Sequence, residues 1–280
     1  MHVIAIERGV LMSNWKHKIS DISYLHYIKL ICRSLLFIAA LVLYIVNKIK
    51  KSEDLFLGIE DKPIILSVIW IVFVVEMILR FFPAKVESMG CQKQFRRNFK
   101  PTEEKVPEKT SGVRTFIAAA SWLLLNGIIG LLYFLEVYDA GVLVLISLAF
   151  SVCDMICILF FCPFQTWILK NKCCTTCRIY NWDYAMMFTP LVFINNVFAL
   201  TLVAISVLLL VRWEIGYRIH PERYTENTNE SLACKNCNEK LCQHKKQLQS
   251  FLKKQKEDLK KKAEKLKEKA EKLKSKITKK

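Results

Sequence analysis

Five apolar runs, each about as long as a lipid bilayer is thick, decide what this chain can fold into. A helix needs roughly 20 mainly apolar residues to cross a hydrocarbon core, because the bilayer holds no water to satisfy an exposed backbone. Such runs lie at about 28–46, 64–82, 113–135, 141–161 and 191–211. Burying five of these inside a soluble fold requires far more polar chain than 280 residues supply. The sequence therefore predicts an all-α class, a polytopic transmembrane bundle of about five spans.

Hydrophobic residues make up 53% of the chain and charged residues 24%, fractions that conflict only if the charges are spread evenly. They are concentrated instead: residues 245–280 carry 16 lysines against Glu257, Asp258, Glu264, Glu268 and Glu271, which is +11 of the formal +17. Most of the net charge belongs to an appendage. That tail has a single aromatic residue, Phe251, and so lacks the aromatic interleaving of a nucleic-acid surface; no nucleic-acid partner is expected.

The organisation read from these patterns is a polar flank at 1–27, a membrane domain at 28–213, a juxtamembrane segment with a Cys/His knuckle at 214–244, and a lysine-rich helix at 245–280. The first run is too long for a signal-peptide core and leads into Lys48, Lys50 and Lys51 without a cleavage site, so it reads as a retained span. Met12 is an alternative start. Loop 83–112 carries Lys85, Lys93, Arg96, Arg97, Lys100, Lys105 and Lys109, which by the positive-inside rule places it in the cytoplasm, with the plasma membrane as the expected location. Counting five spans from there puts the link 162–183 inside and the C-terminal tail outside, against the preference of its lysines. A dip and return of the fifth run, which begins with Pro190 and carries Asn195 and Asn196, is one alternative, and a first run that does not span is another.

In the tail, Leu252, Leu259, Leu266 and Leu273 recur seven apart, with Ala263, Ala270 and Ile277 at the matching seam positions. A solvated basic helix and a coiled coil both satisfy this pattern. The expected partners are the bilayer itself, anionic lipid or a protein bound through 245–280, and a second copy of the chain.

Eleven cysteines are too many for filler, and they cluster. Cys234, Cys237, Cys242 and His244 follow the logic of a tetrahedral thiolate site, in which Cys-x-x-Cys brings two ligands to one ion across a tight turn. Zinc is the expected occupant and an iron–sulfur cluster the alternative. Cys162, Cys173, Cys174 and Cys177 form a second candidate set. Cys174 and Cys177 also read as a redox pair, because a Cys-x-x-Cys ahead of a helix favours the thiolate.

Two ionisable groups fall within the spans, Glu76 and Asp154, and each must be paired or wetted there. Arg80, one turn on, is the expected partner of Glu76, while Asp154 is expected either to stay protonated or to bond a polar group such as Asn126 on a neighbouring helix. Cys153 and Cys157 read as small packing residues, with a soft-metal path lined by Cys153, Asp154 and Cys157 as the alternative. Trp122, Trp167, Trp182, Trp213, Tyr138 and Tyr180 mostly lie near run ends, as in an aromatic belt. With no phosphate loop, metalloprotease helix or nucleophile elbow, the reading leans away from an enzyme. It is a membrane scaffold or sensor with a thiol-ligated metal in its tail. A membrane thiol–disulfide or electron-transfer enzyme using Cys174 and Cys177 is the alternative. A cation or metal transporter component using Glu76 and Asp154 is the weaker one.

Overall fold

Apolar runs with no water to bond their backbone fold as helices, and most of the described apolar residues of this chain do so. The computed structural model describes residues 21–49, 63–83, 89–104, 106–108, 111–171, 173–233, 250, 255, 257 and 259. Residues 1–239 form one unit and residues 240–280 a second. In the first unit the helices are α1 (Asp21–Ile49), α2 (Pro63–Leu79), α3 (Met89–Gln94), α4 (Gly112–Phe134), α5 (Ala140–Leu159), α6 (Asp183–Phe188) and α7 (Val197–Ile219). Among the described residues the only bridge is an isolated one between Pro101 and Asn229. In the second unit, residues 250, 255, 257 and 259 are helical and Leu259 is exposed; the heptad seam otherwise lies outside the described residues, as does the Cys234–His244 cluster.

Four helices are long and apolar enough to cross a membrane, at Tyr24–Val46, Gly112–Phe134, Ala140–Leu159 and Val197–Ile219. The protein is thus a multi-pass membrane chain. The second expected span, 64–82, is a shorter apolar helix of 17 residues that ends at Leu79. Leu35, Ile38 and Val42 of α1, Phe116, Leu123 and Leu131 of α4, and Val207, Leu208 and Ile215 of α7 are all exposed. So much outward apolar surface suits hydrocarbon and not water.

Side-chain pairings fix the directions of the helices. Tyr44 near the end of α1 donates to Asp139 at the start of α5 (3.1 Å), while Tyr27 near the start of α1 packs edge-on against Phe160 just past α5. These two helices are antiparallel. The α4–α5 turn is tight: Glu136 takes the left-handed conformation (φ 57°), and Asp139 caps α5 by accepting from the Val142 amide at 3.2 Å. Trp70 donates to Thr201 (2.8 Å), and Arg212 lies 5.8 Å from the Phe81 ring, so α2 and α7 run parallel.

The run expected at 191–211 is not one helix. Thr189–Phe193 is a tight 3-10 turn with Pro190 buried in it, the backbone breaks at residues 194–196, and α7 starts only at Val197. Asn196 causes the restart: its side chain accepts from the Phe198 amide at 2.8 Å, capping α7. Before that break the chain runs alongside α4. Trp122 donates to Thr189 (3.4 Å), and further along α4 the Phe193 ring sits over Gly130 and against Phe134. Residues 183–196 therefore cross the bundle as a broken segment. One helical stretch, one 3-10 stretch and one extended stretch of these lengths reach on the order of 30 Å, the thickness of the hydrocarbon core. Irregular backbone is tolerated at that depth only where protein surrounds it, and Tyr184, Met187, Phe188, Leu191 and Ile194 are all buried.

This crossing changes the topology. α7 returns to the end of the bundle that holds the cysteine-rich link, where Arg178 grips Glu214 through both guanidinium nitrogens and lies 3.8 Å over the Tyr217 ring. Past α7, buried Asn229 donates to the Lys93 and Arg223 carbonyls (3.1 and 2.8 Å), and the Glu230 amide donates to the Lys100 carbonyl at 2.8 Å. The described residues of loop 83–112 and of the link thus share one end of the bundle with residues 220–233. The five-span count had put the segment after the last span on the opposite face from the link.

Candidate functional site

The two intramembrane carboxylates meet a cation within the first apolar run. Arg33 of α1, buried, donates to Glu76 of α2 at 2.9 Å and to Asp154 of α5 at 3.1 Å, with the Ser151 carbonyl a further acceptor at 3.1 Å. Lys29, one turn earlier on α1, lies 3.3 Å from Glu76, and the Tyr184 hydroxyl donates to the same carboxylate at 2.9 Å. Beside them Arg80 pairs with Asp183 at 2.5 Å and stacks 4.6 Å over the Tyr184 ring.

The expected pairings are thereby corrected. Glu76 bonds Arg33 and Lys29 rather than Arg80, and Asp154 bonds Arg33 while Asn126 donates to the Trp122 carbonyl of its own helix at 3.0 Å. The reason is geometric: an i, i+4 pair satisfies one edge of a carboxylate, whereas a guanidinium fork placed between two helices satisfies two carboxylates at once. Three cations and three carboxylates make a balanced clamp joining α1, α2, α5 and α6.

Against the clamp lies a partly open cavity of about 140 Å³. Asp154 and Asp183 are part of its wall, and Trp122, Phe150, Phe164 and Met187 supply apolar surface. Five of its lining residues are cysteines: Cys153, Cys157, Cys162, Cys174 and Cys177. The end of α5 brings in the first two and the π-turn Phe164–Ile168 follows the third, while the link folds back to add the rest. Cys153 and Cys157, expected as packing residues, belong to the cavity instead; Cys173 is not in its lining and sits 3.1 Å from the Thr175 hydroxyl.

The thiols differ in their surroundings. Cys174 donates to the Gln165 side-chain oxygen at 2.8 Å. Cys177 is buried, and that burial pushes its thiol up to about 12. A thiol so placed stays protonated at neutral pH, the opposite of an activated nucleophile. The Cys162 sulfur accepts from the Gln165 amide at 3.4 Å. Among the described residues no three His, Cys, Asp or Glu side chains gather so as to hold a metal ion, and Cys162, Cys173, Cys174 and Cys177 are all among those residues.

Sequence reasoning found the two carboxylates and missed Arg33, Lys29, Asp183 and Tyr184. The signal was present, since an arginine inside an apolar run needs a partner as much as an acid does. The chain matches no protein-family model, no curated protein sequence and no solved structure.

Proposed function

We propose that this protein is a membrane-embedded sensor, non-catalytic, whose thiol-lined cavity receives a small neutral apolar molecule from the bilayer. The observation that carries the reading is that cavity and clamp share a wall: Asp154 and Asp183 line the one and anchor the other. An occupant touching those carboxylates acts on the ion pairs that hold α1, α2, α5 and α6 together, so occupancy and helix packing are coupled through contact. The cavity is lined mostly by hydrophobic and aromatic side chains with a few polar groups, the usual make-up of a ligand site.

A cation path through Glu76 and Asp154 is the poorer reading, because both carboxylates are already satisfied by fixed cations and offer a moving ion no vacancy. A redox pair at Cys174 and Cys177 is likewise disfavoured by the buried, proton-holding Cys177. In this reading α2 completes five full helices through the bilayer, and the end bearing loop 83–112 faces the cytoplasm of a cell with the protein in its plasma membrane. The Cys234, Cys237, Cys242 and His244 set holds one zinc ion, with an iron–sulfur cluster as its alternative, and 245–280 meets anionic lipid or a protein partner.

Two measurements test this. Purified protein should enhance the fluorescence of the neutral probe N-phenyl-1-naphthylamine, and Cys174→Phe, which fills the cavity, should abolish the enhancement while leaving helix content unchanged. Equal enhancement by both proteins would remove the cavity from the proposal. Elemental analysis should find about one zinc per chain, lost in Cys237→Ser; metal-free wild-type protein would remove the knuckle.

A further inference from the structure

We propose that a second cavity, at the end of the bundle that holds the cysteine-rich link, is the headgroup site of a bilayer lipid carrying a phosphodiester and a primary ammonium, as phosphatidylethanolamine does. This open cavity measures about 420 Å³, within the range of about 300–1,000 Å³ usual for small-molecule sites. It shares no lining residue with the thiol-lined cavity and stands apart from the sensor reading.

Its charges come in two pairs, each on its own support. Arg114 lies in the first turn of α4, and Ala118, one turn on, shares a small apolar core with Ile168 and Leu169, which lead directly into Lys170. Lys170 is held at the tip of its turn (φ 52°) by the Asn171 amide, which donates to the Gln165 carbonyl at 3.0 Å. The acidic pair is set by a different contact. The Glu108 amide donates to the Asn227 side chain at 3.3 Å, which brings Glu108 beside Glu226. Arg178 also lines the cavity, but Glu214 holds it through both guanidinium nitrogens. With that pair neutral, Arg114 and Lys170 are matched by Glu108 and Glu226 among the described lining residues, two charges of each sign. Such a site suits a zwitterion better than a net anion or cation.

The phosphodiester goes to the cations, where the start of α4 adds the positive end of its dipole and no acid in its first turn opposes it. The ammonium goes to the two carboxylates, to which it donates charge-assisted hydrogen bonds. A choline head donates none and is recognised by aromatic cages, whereas Tyr224 is the one aromatic side chain among the described lining residues. The setting favours a lipid over a soluble zwitterion. Arg114 stands at the end of a spanning helix whose Val113, Phe116 and Ile117 are exposed, and Trp167 is exposed three residues before Lys170. A head in the cavity thus has apolar surface beside it for acyl chains, and an indole at headgroup depth.

The test is native mass spectrometry of detergent-purified full-length protein titrated with dioleoyl-phosphatidylethanolamine, dioleoyl-phosphatidylcholine or dioleoyl-phosphatidylglycerol, with helix content followed for every variant. Wild type should take up the ethanolamine lipid roughly tenfold more tightly than the choline lipid. Lys170→Ala and Arg114→Ala should each abolish that preference. Glu108→Gln with Glu226→Gln should instead shift it, raising uptake of the anionic glycerol lipid roughly tenfold over wild type. That lipid is compared only between variant and wild type, because the lysine-rich tail also attracts it. Glycerophosphoethanolamine, the same head without acyl chains, should fail to displace the lipid at about a hundredfold excess. Equal affinity for the ethanolamine and choline lipids, a preference untouched by Lys170→Ala, or displacement by glycerophosphoethanolamine would overturn the assignment. If the double glutamine variant loses helix, Lys170→Ala, at an exposed residue, still decides the question.

Discussion

Replacing Arg33 with methionine takes away the cation that Glu76 and Asp154 share. The side chain is 7% exposed and makes contacts at 2.9, 3.1 and 3.1 Å, so its removal leaves Asp154 with no ion-pair partner and Glu76 with only Lys29 at 3.3 Å. Breaking a buried ion pair by deleting one member destabilises by about 3–5 kcal/mol, and for a bundle of this size that lowers the melting temperature by roughly 10 °C. The assay is the monodisperse fraction recovered by size-exclusion chromatography after heating in detergent. Glu76→Gln should lose less, because Arg33 keeps Asp154. The double change Arg33→Met, Asp154→Asn should recover most of the loss, since Glu76 keeps Lys29 and no lone charge is left buried. If Arg33→Met melts within about 1 °C of wild type, or the double variant is less stable than the single one, the clamp does not hold the bundle in the way described.

The remaining predictions concern the link, the crossing and the topology. Cys177, with its thiol pushed up to about 12 by burial, should be alkylated by iodoacetamide very slowly at pH 7 and roughly tenfold faster for each pH unit gained below that value; a rate flat between pH 7 and 9 would show it already ionised. Gly130→Ala puts a methyl group 2.3 Å from the Phe193 ring as it stands, so the ring must move, and a loss of about 1–3 kcal/mol in thermal stability is expected; an unchanged melting curve would mean that the crossing does not pack on α4. Single cysteines replacing Glu103 and Glu226 in a cysteine-free background should be labelled by an impermeant maleimide from the same side of a sealed vesicle, as their shared end of the bundle requires. Labelling from opposite sides would restore the five-span count.

The apolar runs announced the helices because length and lack of charge are enough to specify a span. They did not announce residues 183–196. That segment is short, contains Pro190 and begins with an acid, and it becomes a crossing only because α4 and α7 flank it. The carboxylates Glu76 and Asp154 were legible as groups in need of partners, but the partner's identity depends on α1 lying antiparallel to α5, which no local pattern encodes. The cysteines show the same limit. Spacing grouped Cys162 and Cys173 with Cys174 and Cys177, whereas the fold lines one cavity with Cys153, Cys157, Cys162, Cys174 and Cys177 and leaves Cys173 out of its lining.

The broken crossing also bears on how the protein enters its membrane. A segment with Asp183 at one end, Asn195 and Asn196 at the other, and Pro190 between them does not partition into lipid on its own hydrophobicity. Its seat is supplied by protein, above all by the groove where Gly130 leaves room for the Phe193 ring. The expected order of insertion therefore has α4 and α5 seated before 183–196 descends, and the expected failure of a variant that fills this groove is a misplaced α7 rather than lost helix.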